Sequence, residues 1–175
     1  MTQEEVKSLF EAVKNKKHRL MVKLMYSAGL RVNELTHLKV RDLELEKRFG
    51  WVKSGKGRKD RLFIVAESLK SELEGFIKDN NLNYDSCLFR GVKQRNISSE
   101  TINQSIKKAA KTAGIKKRVH CHTLRHSFAT HLIENGYSVQ DVQELLGHNS
   151  PQTTMMYIHM ASPKLFSIKS PLDEL

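Results

Sequence analysis

The chain reads as an α+β domain, mainly helical: a helical bundle with a small three-stranded antiparallel sheet. Three observations predict this. Apolar residues recur at helical spacing over most of the 175 residues. The period changes to short β-type runs between about residues 43 and 65. The best linker, Asn80 to Asp85, is too short to separate two domains, and there is no internal repeat or low-complexity stretch.

Taken in order, Thr2-Gln3-Glu4-Glu5 is a capping box followed by Val6, Leu9, Phe10 and Val13 on one helical face. Leu20 to Ala28 forms a largely apolar second helix that stops at Gly29, a residue suited to the left-handed cap. Arg31 to Leu38 reads as a short third helix. Leu43 to Leu45, Trp51 to Val52 and Leu62 to Val65 are strand-like, with Ser54-Gly55-Lys56-Gly57 as the hairpin turn between the last two. Helices resume at Glu67 to Asp79, Ser99 to Ala113 before Gly114, and Thr123 to Asn135 before Gly136. Ser138 to Asp141 is a second capping box, opening a helix that ends at Gly147. Ser150-Pro151 pairs an N-cap with proline at the first helical position, starting a helix through Tyr157.

Thirty Lys and Arg face nineteen Asp and Glu, a formal net charge of +11. A polyanion is the natural partner for such a surplus, because basic groups on phosphates release condensed counterions. Cys87 and Cys121 make neither a disulfide framework nor a CxxC knuckle, which points to a reducing, cytoplasmic setting. The first residues lack an apolar signal-peptide core, and no apolar run approaches the roughly 18 residues of a membrane span.

Several residues could carry chemistry. Leu124, Phe128 and Leu132 form an inward stripe, with Arg125 at its flank and His122 at the helix start. A phosphate would satisfy Arg125, His122 and the unpaired amides of the helix end together; a carboxylate partner for the arginine and a capping histidine serve equally well. Arg31 and Glu34, three apart, explain each other as an ion pair, or form a second phosphate clamp with Glu34 orienting the arginine. Lys53, Lys56, Arg58, Lys59 and Arg61 surround the hairpin tip, either as a solvated face or as a basic finger lying along a DNA groove. Lys107, Lys108, Lys111, Lys116, Lys117 and Arg118 form a second basic patch suited to backbone contact. Tyr157, among methionines, is a core tyrosine unless its surroundings make it a nucleophile. His120-Cys121-His122 looks like a metal-ligand run, but no acid or thiolate stands at a matching spacing, so no metal is expected.

In order, these residues resemble the tyrosine recombinase (phage integrase) family, and its Xer-like branch in particular. AGLRVNELTHLKVRDL is similar to the first arginine box, putting the first catalytic arginine at Arg31 and a supporting acid at Glu34. SGKGRKDRLFIV resembles the family's β-hairpin, with its lysine at Lys56. HTLRHSFATHLIENG resembles the second box, giving His122 and Arg125 the catalytic His and Arg roles. LLGHNSPQTTMMYIHM resembles the end of the domain, with His148 and, nine residues on, the nucleophile Tyr157. His126, His131 and Cys121 remain packing or surface residues.

The resemblance implies a recombinase that cleaves double-stranded DNA through a 3′-phosphotyrosine and religates it without ATP, metal or cofactor. Residues 1–160 would be the catalytic domain and 161–175 a tail exchanged between protomers of a tetramer on paired sites, or folded back on itself. The family's N-terminal core-binding domain, roughly a hundred residues, would then be missing from this chain. A type IB topoisomerase, a metal-dependent nickase and a non-catalytic DNA-binding module are the competing readings.

Overall fold

The three β-type runs pair as expected, into an antiparallel sheet of order β1-β2-β3 inserted in a helical chain. The computed structural model describes residues 1–53, 60–91, 96–147 and 168–175. Its helices are α1 (Gln3–Ala12), α2 (Lys16–Ala28), α3 (Val32–His37), α4 (Glu67–Asp79), α5 (Ser99–Thr112), α6 (Cys121–Glu134) and α7 (Val139–Leu146); the strands are β1 (Leu43–Glu44), β2 (Phe49–Val52) and β3 (Arg61–Ile64). The expected turn at 54–57 and the helix from Ser150 through Tyr157 lie outside the described residues.

Local chemistry sets the helix ends. At α1 the Glu5 amide donates to Thr2 Oγ1 at 3.2 Å, and the Thr2 amide donates to the Glu5 carboxylate at 2.9 Å. α2 begins a turn before the expected Leu20, because Asn15 accepts from the His18 amide at 3.0 Å. Its solvated first turn is basic, so apolar spacing does not reveal it. The Ser138–Asp141 capping box forms, and α7 ends at Gly147 with φ +66°.

α2 is the centre of the core. Leu20, Met21, Val22, Leu24, Met25 and Tyr26 are all at most 2% exposed, and α1, α4, α5 and α6 pack around it. Each such side chain contributes on the order of 1.5–3 kcal/mol relative to exposure. His131 is also buried: its Nε2 donates to the Met1 carbonyl at 2.9 Å, which leaves Nδ1 to accept from the Tyr26 hydroxyl at 2.7 Å. Burial pushes the Tyr26 hydroxyl well above its ordinary pKa, so it remains a donor.

Residues 168–175 fold back onto their own domain. Ile168 is buried, and Ser170 Oγ donates to the Ser27 carbonyl at 2.8 Å. Asp173 accepts from the amides of Glu67 and Ser68, both at 3.0 Å, supplying the α4 cap that Ala66 has no side chain to provide. No helix among the described residues is long and apolar enough to cross a membrane.

Candidate active site

The site forms where α2 ends, α3 begins, β3 passes and α7 stops. Gly29 makes that junction possible. It closes α2 in the left-handed conformation at φ +58°, and a Cβ there would sit 2.6 Å from the Phe128 ring of α6 and 3.0 Å from Leu146 of α7. The chain then passes through fully buried Leu30 to Arg31, the N-cap of α3.

Arg31 folds over Glu34 as the three-residue spacing suggests. Its amide donates to Glu34 Oε2 at 2.7 Å and its Nη1 to Oε1 at 2.9 Å, while the side chain stays 42% exposed. Glu34 also holds Arg61: Nη2 donates to Oε2 at 2.6 Å, and Nε reaches Oε1 at 3.4 Å. Burial alone would raise the Glu34 carboxyl. The attraction and hydrogen bonding of Arg61, with Arg31 behind it, outweigh burial and hold it below its ordinary pKa.

Arg61 is the correction to the expected basic finger. Its side chain is only 9% exposed, committed to Glu34 and, through Nη1, to the Leu145 carbonyl at 2.6 Å. Arg61 lies two residues before fully buried Phe63 and shares its face of β3, a spacing readable in the sequence that the neighbouring positive charges obscured. Gly147 fits the same side chain closely, since a Cβ there would meet Arg61 Cδ at 2.7 Å.

Arg125 is 7% exposed and sits behind the other two arginines. It donates to the Gly29 carbonyl through Nη1 and to the Leu146 carbonyl through Nη2 at 2.6 Å. These acceptors satisfy hydrogen bonds without cancelling charge. Burial, then repulsion from Arg61 and Arg31, pushes its pKa down to about 10, with Glu34 opposing. Arg31 and Arg61 share the Glu34 carboxylate, and Arg125 lies near enough for the charges of all three to act on it. Guanidinium groups gathered in this way can receive an anion. Arginine suits that task because its planar fork matches phosphate oxygens in pairs.

His122 lies in the first turn of α6, exposed, three positions before Arg125, with its ring 6.1 Å from that of His120. His120 is the N-cap and the helix begins at Cys121, so the segment does not take the extended form that would give the two histidines a common face. Burial raises the Cys121 thiol to about 11. Among the described residues no group of three or more His, Cys, Asp or Glu could hold a metal ion.

Of the expected DNA contacts, Lys107, Lys108 and Lys111 lie exposed on α5, opposite buried Ile102, Ile106, Ala109 and Ala110. Lys116, Lys117 and Arg118 are exposed beyond it, Lys117 pairing with Glu5 at 2.9 Å. Lys53 is 57% exposed at the end of β2, 3.8 Å from Asp42. Lys56, Arg58, Lys59, His148 and Tyr157 lie outside the described residues.

Residues 1–163 match the phage integrase family, and the chain belongs to that family. It is 39% identical over 163 residues to a tyrosine recombinase of Pseudothermotoga lettingae, covering 93% of this chain and 56% of that protein. It is 39% identical over 170 residues to the tyrosine recombinase XerA of Pyrococcus furiosus, covering 94% and 58%. The crystal structure of a XerA recombinase superposes with a TM-score of 0.78 at 35% identity, over 91% of this chain and 58% of that one. The XerH site-specific recombinase bound to its difH substrate, a pre-cleavage complex, gives 0.73 at 28%, over 96% and 52%. The chain thus spans a little over half the length of the curated relatives it matches.

Proposed function

We propose that this chain is the catalytic domain of a site-specific DNA recombinase that breaks and rejoins double-stranded DNA through a covalent bond to Tyr157. The observation that carries the reading is the arginine cluster: Arg125, nearly a hundred positions from Arg31 in sequence, donates to the Gly29 carbonyl two residues before it. An anion placed between the two arginines would accept from both guanidinium groups. In a family whose members are named recombinases, the anion is the scissile phosphodiester.

Free tyrosine, with a pKa of about 10, is only about one-thousandth ionised at neutral pH. Cations around the phosphate favour the phenolate. Tyr157 Oη bonds to phosphorus as the bond from phosphorus to the 5′ oxygen breaks, and that oxygen takes a proton from Lys56. Arg31 and Arg125 receive the charge that builds on the non-bridging oxygens; losing one such donor typically costs on the order of 3–4 kcal/mol of transition-state stabilisation. His122 assists by accepting the tyrosine's proton, and His148 donates to a non-bridging oxygen. The products are a 3′-phosphotyrosine and a free 5′-hydroxyl. Reversal needs no ATP, because one phosphodiester is exchanged for another of similar energy. The guanidinium charges supply what a divalent ion would otherwise provide, so cleavage should persist in EDTA.

Lys53, Lys56, Arg58 and Lys59 would contact the DNA around the hairpin, and Lys107, Lys108, Lys111, Lys116, Lys117 and Arg118 its backbone. We place the protein in the cytoplasm, acting as a tetramer on paired sites; residues 168–175, which pack on their own domain, would have to leave it to reach a neighbouring protomer. The test of the chemistry is a suicide duplex, selected from a random-sequence pool by covalent capture on the wild-type chain. Wild type should give an adduct on a denaturing gel, and Tyr157→Phe should bind the same duplex without one. An adduct with Tyr157→Phe, or none with wild type, refutes the assignment.

A further inference from the structure

We propose that Arg61 is a positioning residue for the cleavage reaction, fixing Arg31 through Glu34 and tying both to the end of α7. The inference rests on the reading of the arginine cluster as a phosphate clamp. Glu34 accepts four donors: Oε1 takes Arg31 Nη1 and Arg61 Nε, and Oε2 takes the Arg31 amide and Arg61 Nη2. The remaining nitrogen, Arg61 Nη1, is held by the Leu145 carbonyl. One planar group therefore links β3, α3 and the last turn of α7.

The charge balance gives this link a chemical consequence. With Arg61 in place, the Glu34 carboxylate is shared, and the half-exposed Arg31 guanidinium keeps charge for an incoming phosphate. Without Arg61, Glu34 has only Arg31 to pair with and quenches the cation the reaction uses. The Leu145 carbonyl also loses its donor beside Arg125, which holds the adjacent Leu146 carbonyl. A lysine at position 61 would keep the charge, but one ammonium cannot present the paired edge to Glu34 and a third donor to Leu145.

The test uses the 175-residue chain and the suicide duplex captured with wild type. At saturating DNA, Arg61→Met and Arg61→Lys should form adduct about 10- to 100-fold more slowly, the usual loss when an outer supporting partner is removed. Their DNA affinity should stay within about twofold of wild type, since Arg61 Nε, Nη1 and Nη2 are all committed to Glu34 and the Leu145 carbonyl. Adding Glu34→Gln to Arg61→Met should recover part of the rate, because a neutral side chain no longer quenches Arg31. If Arg61→Met fails to fold by circular dichroism, Arg61→Lys and the double variant carry the comparison. Wild-type rates in the Arg61 variants, an affinity loss matching the rate loss, or a double variant no faster than Arg61→Met each overturn the inference. No adduct from wild type overturns the recombinase reading instead, and this inference with it.

Discussion

Replacing Gly29 with alanine should be among the most damaging single-methyl additions in the molecule. At φ +58° a β-carbon costs roughly 1–2 kcal/mol of backbone strain. The same atom would lie 2.6 Å from the Phe128 ring, which is fully buried, and 3.0 Å from Leu146. Overpacking of that kind costs a further ~1–3 kcal/mol. The total, about 2–5 kcal/mol, is a large share of the ~5–15 kcal/mol that holds a domain folded. Two other glycines separate the contributions. Gly114, at φ +70° with nothing within 4 Å, should lose only the ~1–2 kcal/mol of strain on becoming alanine. Gly75, inside α4 and equally uncrowded, should gain up to about 1 kcal/mol. Urea unfolding, followed by the single tryptophan, Trp51, and by far-ultraviolet circular dichroism, measures all three. The midpoints should rank Gly75→Ala, wild type, Gly114→Ala, Gly29→Ala at a constant m-value. A Gly29→Ala midpoint equal to that of Gly114→Ala would show that the junction relaxes freely and that the contacts with α6 and α7 do not constrain it.

Glu34 predicts an acid limb. The folded protein holds it below its ordinary 4.5, so its stabilisation is complete above about that pH and drains away as pH falls through the folded value. The stability gap between wild type and Glu34→Gln should be level from about pH 6 to 5 and narrow below 4.5; a gap that ignores pH would rule out the ionised carboxylate as its source. Asp173→Ala should cost about 0.5–2 kcal/mol through the uncapped α4, with faster amide exchange at Glu67 and Ser68. Unchanged exchange there would remove the cap from consideration. For nonspecific duplex DNA, Lys108→Ala with Lys111→Ala should flatten the plot of log affinity against log salt by about 1.8, if both lysines contact phosphates. An unchanged slope would take α5 off the DNA.

The bundle was legible because each helix has its own apolar stripe and stop signal. Glu67–Asp79 falls where the pattern put it, and the start of α2 moved because its polar first turn carries no stripe. β2 begins at Phe49 rather than Trp51, as Gly50 interrupts the β-type run. The pairing of Arg31 with Glu34 could be read from spacing, being local. The placement of Arg61 was harder. Its partners lie 27 and 84 positions away, and a string of neighbouring lysines and arginines suggested a solvated loop. The cap that Asp173 lends α4 spans more than a hundred positions and has no local signal at all.

The two arginines on consecutive carbonyls, Leu145 and Leu146, make α7 a ruler of fixed length. One residue added between Ser138 and Gly147 would advance the helix end by about 1.5 Å and swing it by roughly 100°, parting both guanidinium groups from their oxygens. A change of length along α7 would therefore be selected against, and a graft or chimera of this domain should keep those eight residues whole.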